Sequence, residues 1–595
     1  METKSCKCQN CGLTSESFFI ADAKNFRKNI SRITEGEIGI CSLCNNCYSK
    51  RKDCLEAIIN TAKDKKIIVA GPGTGKTHTF GELLKQLPAE GRAIVFTLIN
   101  NLVFDLKKEL SSIGNNNIKA TTFHGFCREM LHSKIHFKPG FEYFPKLTKL
   151  ICADADLLSS GFSKEDFDKS FANLDENKAM EFYLERADYY NSASHNDAVF
   201  KIYNFLKENT EEIPEYEIAI ADEYQDFNLL ESSFINLLAT KNKILIAGDD
   251  DQALYKFRFA EKKFIRDLRK NTDFQFFPLP FCSRCSPVLV DATNYFVKKA
   301  QMDGLLKERI PRDYLCYWPD KYIESINYPK IFVAHCSTAK TMNEFIVARI
   351  QEIKQAESID GTEKDIQFLI IGPESGYHIN NLAVCLKEKL DGSIYEIQTA
   401  KEKEALTIDE GYSIIQRGNN NLGWRIVMEL DPIDGQADII NRSYEAKAGL
   451  EGLLPVEYIE KHQTSISGRA GIADENVCLS EDELPEENNN RKIKIRMTNF
   501  YGSKGLTALH VFVIGLNNRT FPKNPDNIKD DEICKFIVSL TRAKKSCTLV
   551  PNREYNYELQ RSVDSPSIFI GMLPQDKLLK QEYRIKKGQL QLEGQ

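Results

Sequence analysis

Ile67 to Phe80 reads IIVAGPGTGKTHTF, an apolar run that enters a glycine-rich loop and leaves it through Lys-Thr. Gly71 to Thr77 fit the spacing G-x-x-x-x-G-K-[ST], and the match follows an apolar strand as such a loop requires. Glycines let backbone N–H groups turn inward around phosphate oxygens, and the following helix adds its positive N-terminal end. Gly71, Gly73, Thr74 and Gly75 form the cradle. Lys76 is placed to reach the β- and γ-phosphates of a nucleotide, and the Thr77 hydroxyl to bind Mg²⁺. The stretch predicts a phosphate-binding loop at the end of a parallel-sheet strand.

A chain of 595 residues is too long for one core and predicts several domains. The apolar runs, such as FLIIG from Phe368, fall far short of the roughly 20 residues a membrane span needs. The opening METKSCKCQNC has no apolar segment like that of a signal peptide. A cytoplasmic protein with no membrane association is expected. Net charge is −6, which advertises no global attraction for nucleic acid but leaves room for a local basic groove.

Short apolar strands (KIIVAG, AIVFT, EIAIAD, KILIAGD) alternate with helical stretches from Leu55 to about Phe277. That alternation predicts a parallel sheet with crossover helices. A polar, aromatic, helix-like stretch interrupts it, and a second strand series follows (KIFVAHC, IQFLIIGP, ALHVFVIGL, SCTLVP). The expected division is a Cys-rich module over 1–54, a first α/β domain over 55–128 and 213–277, and a helical insertion over 129–212. A second α/β domain then spans 278–398 and 491–595, with a further insertion over 399–490.

EIAIADEYQD (Glu217 to Asp226) reads as a buried strand ending in carboxylates. Such a strand delivers a metal ligand beside a phosphate-binding loop. Asp222 is expected to hold Mg²⁺ and Glu223 to activate the attacking water.

Several stretches resemble the UvrD/Rep/PcrA-type superfamily 1 helicases. They are TTFHGF (Thr121 to Phe126), DEYQD (Asp222 to Asp226), GDDDQALYKFRFA (Gly248 to Ala260) and LPFCSRCSPVLVDATN (Leu279 to Asn294). GSKGLTALHVFVIGLNNRTFP (Gly502 to Pro522) and VSLTRAKK (Val538 to Lys545) complete the set in the family's order. The resemblance implies two RecA-like P-loop domains with ATP between them. It implies that Gln252 touches the γ-phosphate, that Arg284 and Arg542 contact it from the second domain, and that Gly505 lies at the nucleotide. Permanently charged planar forks suit the charge spread over a transferring phosphoryl group. Phe96, Phe123, His124, Tyr255 and Phe257 occupy places where the family holds single-stranded DNA, by stacking that tolerates any base. Departures from the pattern are Cys54 near the place of an adenine-reading Gln, Thr507 for an acidic residue and Tyr501 for a His. The insertion over 399–490 is also shorter than the family's second accessory subdomain.

Seventeen cysteines without a secretion signal imply reduced thiols, with metal ligation where they cluster. CKCQNC and CSLCNNC put six of them in the first 47 residues. Two facing knuckles give a closed tetrahedral site, so one structural Zn²⁺ is expected on Cys8, Cys11, Cys44 and Cys47, with Cys6 and Cys41 as alternates.

The resemblance therefore implies an ATP-dependent motor that moves 3′→5′ on single-stranded or partly duplex DNA, in repair, recombination or anti-phage defence. Two alternatives stay open: a DNA-dependent ATPase that remodels another protein, and a nucleotide-gated DNA-binding subunit of a larger complex containing a nuclease.

Overall fold

The computed structural model describes residues 45–98, 114–134, 139–317, 321–363, 365–373, 377–399, 405–467, 492–556 and 565–586. It also describes the short pieces 6–7, 14–15, 103, 107, 561–563 and 589–592. The chain is a mixed α/β structure built on two parallel sheets.

The first sheet contains β1 (Lys65–Ala70), β2 (Ala93–Thr97), β3 (Ile118–Thr122), β4 (Ile218–Ala221), β5 (Ile244–Gly248) and β6 (Gln275–Leu279). Its order is β6-β1-β5-β4-β2-β3, parallel throughout. β2, β4 and β5 are buried at every residue, because helices cover both faces. That is why these strands read as unbroken apolar runs.

The second sheet contains β7 (Ile331–Cys336), β8 (Ile366–Gly372), β9 (Tyr395–Gln398), β10 (Ile493–Asn499), β11 (Ala508–Ile514), β12 (Ala543–Val550), β13 (Leu578–Lys586) and β14 (Gln589–Leu592). Its order is β9-β10-β8-β11-β12-β7-β13-β14, and only the final β13–β14 pair is antiparallel.

Three expected boundaries differ from the structure. The helix Asn45–Asn60 runs straight through the division placed at Cys54. Ile58 is buried in the core of the first sheet and Cys54 packs on that core, so this helix belongs to the first domain. The helix Phe123–Lys134 likewise crosses position 128. β6 continues past Phe277, with Leu279 in register with Ala70, so the first domain reaches at least Leu279.

Each domain carries a helical insertion. The first holds Leu147–Leu157, Lys164–Ala172, Lys178–Tyr189 and His195–Glu208. Ser163 and Asn177 start the second and third of these by accepting from their first N–H groups, which would otherwise lack partners. The second insertion holds Ile408–Gln416, Asn420–Leu430, Gln436–Glu445 and Val456–Ser467. The two insertions share one core, in which Leu422, Trp424 and Ile426 join Leu147, Ile151 and Tyr190. Inside it the Arg425 Nε donates to Asp154 at 2.6 Å with both side chains fully buried, and the Tyr190 hydroxyl donates to the same carboxylate.

Candidate nucleotide site between the two sheets

β1 ends at Ala70 and the loop turns through Gly73 and Gly75, at φ 70° and 92°, where a side chain would be strained. The Thr74 Oγ1 donates to the Gly71 carbonyl at 2.9 Å and braces the turn. The helix Lys76–Leu84 follows, with Gly75 at its cap and no side chain bonding its first N–H groups. Those donors face outward as an anion site. Thr77 stands in the helix's first turn.

β4 ends at Ala221, so Asp222 and Glu223 emerge beside the loop. Glu223 has φ 54°, an uncommon conformation for a residue with a side chain. Its Oε1 lies 3.5 Å from Lys76 Nζ and its Oε2 3.4 Å from Lys504 Nζ. The Gln225 Nε2 donates to the same carboxylate at 2.6 Å. Burial opposes ionisation of both carboxyls. At Glu223 the two lysines outweigh it and hold the group well below the ordinary range. At Asp222 burial and the adjacent Glu223 prevail and push it up. Thr77 and Asp222 are hard oxygen donors, the kind Mg²⁺ takes, and a divalent cation there would supply the positive charge that Asp222 lacks.

Lys504 is a site residue that the sequence reading passed over. It is buried, its Nζ pairs with Asp226, and it donates to the Gln252 carbonyl at 3.0 Å. Burial lowers its pKa to about 8 against the pull of Glu223. The available signal was a lone lysine between Gly502 and Gly505, next to a strongly apolar strand. Gly505 itself sits at φ 79° and turns the chain directly after it.

Gln252 joins the two domains. Its Nε2 donates to Asp249 at 2.6 Å, and its Oε1 accepts from Arg542 at 2.7 Å. Arg542 also donates to the Val538 and Leu506 carbonyls, at 3.1 and 3.3 Å. Burial, and then the nearby Arg284, bring its pKa down to about 10. Asp249, Asp250 and Asp251 form a carboxylate cluster, and Arg312 of the second domain pairs with all three. That guanidinium already supplies the charge a metal would bring.

The residues expected at the nucleotide (Lys76, Asp222, Glu223, Gln252, Arg284, Arg542) thus converge between the sheets. Those expected on DNA divide. Phe96 and Phe123 are 0% exposed and pack edge-on with Phe126, Phe227 and Phe234, so they are core residues and no base can reach them. The apolar neighbours that made them look like a stacking platform are their packing partners. His124 lies against His195, 5.3 Å between ring centres, and burial followed by the His195 charge keeps its pKa well below 6.5. Phe257 is 59% exposed and packs edge-on against both Tyr255 and Tyr501, at 5.7 and 5.1 Å. This ladder crosses the domain junction. Cys8, Cys11, Cys41 and Cys44 lie outside the described residues, as do the side chains of Cys6 and Cys47.

Two parallel-sheet domains with a phosphate loop on one and arginines from the other define a nucleotide site of the P-loop type. A family profile described as an AAA domain matches residues 55–258. The chain is also similar to the probable DNA helicase II homolog of Mycoplasma capricolum, 22% identical over 88% of this chain and 87% of that protein. It is 26% identical to the ATP-dependent DNA helicase Rep of Buchnera aphidicola, over 33% of this chain and 35% of the relative. With the ATP-dependent DNA helicase PcrA of Staphylococcus aureus it shares 24% identity, over 49% and 44%. Among the described residues, no helix is long and apolar enough to cross a membrane.

Proposed function

We propose that this protein is an ATP-hydrolysing motor of the UvrD/Rep/PcrA type that travels 3′→5′ on single-stranded DNA and separates duplexes. The observation that carries the reading is the bond between Gln252 and Arg542, which ties a first-domain side chain to a second-domain cation at the phosphate loop.

Lys76 pairs with Glu223 in the structure and exchanges that partner for the β- and γ-phosphates when ATP enters. Glu223 then loses one of its two cations and becomes a stronger base, placed to orient and deprotonate water. Thr77 and Asp222 would hold Mg²⁺, which would supply charge neutralisation of the phosphate oxygens. Arg284 and Arg542 stabilise the charge of the transferring phosphoryl group. Loss of that group removes the added charge that draws the two arginines toward the phosphate loop, so the sheets relax by a step to the contacts Arg542 keeps with Gln252. The Tyr255–Phe257–Tyr501 ladder at the junction carries the step to DNA.

The test uses purified full-length protein, assayed for ATPase with and without single-stranded DNA and for separation of duplexes bearing 3′ or 5′ tails. DNA-stimulated hydrolysis with separation of 3′-tailed duplexes is expected. Stimulated hydrolysis without any separation would favour a remodelling ATPase instead, and ATPase indifferent to DNA would refute the motor.

A further inference from the structure

The loop carrying Arg284 reads Phe-Cys-Ser-Arg-Cys-Ser, so the arginine lies inside a Cys-x-x-Cys sequence from Cys282 to Cys285. Both cysteines are buried thiols. Cys282 closes the short strand Phe281–Cys282, and Cys285 immediately precedes Ser286, the cap of the helix Pro287–Met302. The Cys285 N–H lies 3.4 Å from Cys282 Sγ, and the Tyr314 hydroxyl lies 3.3 Å from that sulfur and 3.8 Å from Cys285 Sγ, so the two thiols flank one hydroxyl. Burial disfavours the Cys282 thiolate, but bonds from Cys285 and Tyr314 outweigh it and move the pKa down, while that of Cys285 moves up. One sulfur is disposed to attack and its neighbour stays protonated in reserve.

The pair is bonded to both walls of the nucleotide cleft. The Ser283 N–H donates to the Gly73 carbonyl at 3.0 Å, and the Tyr314 hydroxyl lies 3.0 Å from the Pro72 carbonyl. The Cys285 thiol faces the carbonyl of Thr541, the residue before Arg542, at 3.5 Å. The packing leaves no slack: a Cβ built on Gly73 would meet the Arg284 Cβ at 2.4 Å and Cys282 Sγ at 3.2 Å. A disulfide needs its sulfurs about 2.0 Å apart, closer than two free thiols stand. Drawing them together must bend residues 283–284, and no free space beside the phosphate loop can absorb the change.

We propose that Cys282 and Cys285 are a reversible thiol–disulfide site that reacts with a peroxide and, when oxidised, withdraws Arg284 from the nucleotide. The consequence for hydrolysis rests on the role given to Arg284 above. The Cys282 thiolate attacks one oxygen of hydrogen peroxide, the O–O bond breaks, and hydroxide leaves and takes a proton as water. The resulting sulfenic acid is attacked by the Cys285 sulfur. The S–S bond forms, the S–O bond breaks, and a second water leaves with the Cys285 proton. Two thiols are oxidised, one peroxide is reduced to two waters, and a dithiol reverses the change.

Trypsin supplies a direct readout, because it cuts after Arg284, between the two cysteines. Peptides 271–284 and 285–298 then stay joined only if the disulfide exists. Full-length protein treated with hydrogen peroxide and then alkylated should yield the joined pair. ATPase should fall at least about tenfold, a fraction of what removing such an arginine costs. Dithiothreitol should separate the peptides and restore the rate. Cys282→Ser and Cys285→Ser should hydrolyse ATP normally when reduced and yield no joined peptides. Loss of ATPase with both thiols still alkylatable, or joined peptides with an unchanged rate, would overturn the proposal. Should either variant fail to fold, the wild-type peptides and their reversal by dithiothreitol decide the matter alone. A reduced protein without ATPase would instead defeat the motor reading, while the joined peptides would still establish the thiol site.

Discussion

Arg542 reaches across from the second domain and donates to the side-chain oxygen of Gln252 at 2.7 Å, while the amide end of Gln252 is held by Asp249 at 2.6 Å. Asp249 in turn pairs with Arg312 of the second domain. Gln252 is therefore clamped from both ends by groups that depend on how the domains sit. Arg542→Ala should lower kcat by about 10³ or more, as loss of a transition-state arginine does. Gln252→Ala should lower it less. If the two act as a unit, the double variant should be little worse than Arg542→Ala alone. Additive losses in a double-mutant cycle on kcat would show that they act separately.

Lys76 and Glu223 share a contact in the structure but should fail differently when replaced. Lys76→Ala removes the cation that phosphate needs, so binding of a fluorescent ATP analogue and turnover should both be lost. Glu223→Gln keeps the shape and removes the base, so binding should persist while kcat falls by about 10²–10⁴, the usual contribution of a positioned base. A wild-type rate in Glu223→Gln would remove Glu223 from the chemistry.

Lys504 predicts a pH dependence with a defined sign. Burial lowers its pKa to about 8, and its charge is what pairs with Asp226 and Glu223. As pH rises through 8 the cation is lost, so kcat should fall on the alkaline side. Stability should move oppositely. An unfolded lysine titrates near about 10.4, so between about 8 and that value the unfolded chain holds the extra proton and this group makes stability rise with pH. Lys504→Arg, which stays charged, should shift the alkaline limb of kcat upward. An unmoved limb in that variant would assign the titration to another group.

Much of this site is legible in the sequence because its signals are local. The phosphate loop and the strand ending in Asp222 and Glu223 each declare themselves within about ten residues, whereas Arg284 and Arg542 are singled out only by the resemblance to a helicase family. Lys504 was not legible in the same way. Its partners Asp226 and Gln252 come from the other domain, and nothing near it in the chain says so. Cysteine spacing puts a boundary at Cys54, whereas the helix Asn45–Asn60 crosses it because Ile58 buries on the first sheet. Phe96 and Phe123 pack in the core where stacking on DNA is expected, because an aromatic beside apolar residues looks the same in a core and on a stacking surface. Only burial separates the two.

That distinction can be measured. Phe123→Ala should destabilise the first domain by about 3–5 kcal/mol, the range for emptying a buried aromatic site. Its effect on DNA should follow from unfolding alone. Phe257→Ala touches an exposed ring, so melting should change by no more than about 0.5 kcal/mol in stability. Its affinity for single-stranded DNA should weaken by about 1–3 kcal/mol, the value of one stacked base. Fluorescence anisotropy with an oligothymidine and a thermal melt on each variant give both quantities. Unchanged DNA affinity in Phe257→Ala would take the ladder out of the DNA path.

The two insertions meet around Arg425 and Asp154. Both side chains are fully buried, and the carboxylates of Asp154 and Glu429 keep Arg425 charged despite burial. Asp154→Leu removes the buried partner of Arg425 and leaves only Glu429 at 3.0 Å, so the loss should approach but not exceed the roughly 3–5 kcal/mol of an unpaired buried charge. The expected result is loosening of the helices over 405–467 from those over 147–208, seen as faster amide exchange in both and early proteolysis between them. Arg425→Met alone leaves a buried carboxylate and should also destabilise. Combining Asp154→Leu with Arg425→Met removes both charges and should recover most of the loss, because an apolar pair of similar volume often equals or exceeds a buried ion pair. ATPase without DNA should change less than the exchange rates in any of the three, since none of residues 71–77 belongs to this core, which reaches the nucleotide site only through residues such as Val69 and Tyr224. If the double variant exchanged as fast as Asp154→Leu, the shared core would depend on the shape of the ion pair as well as on its charge.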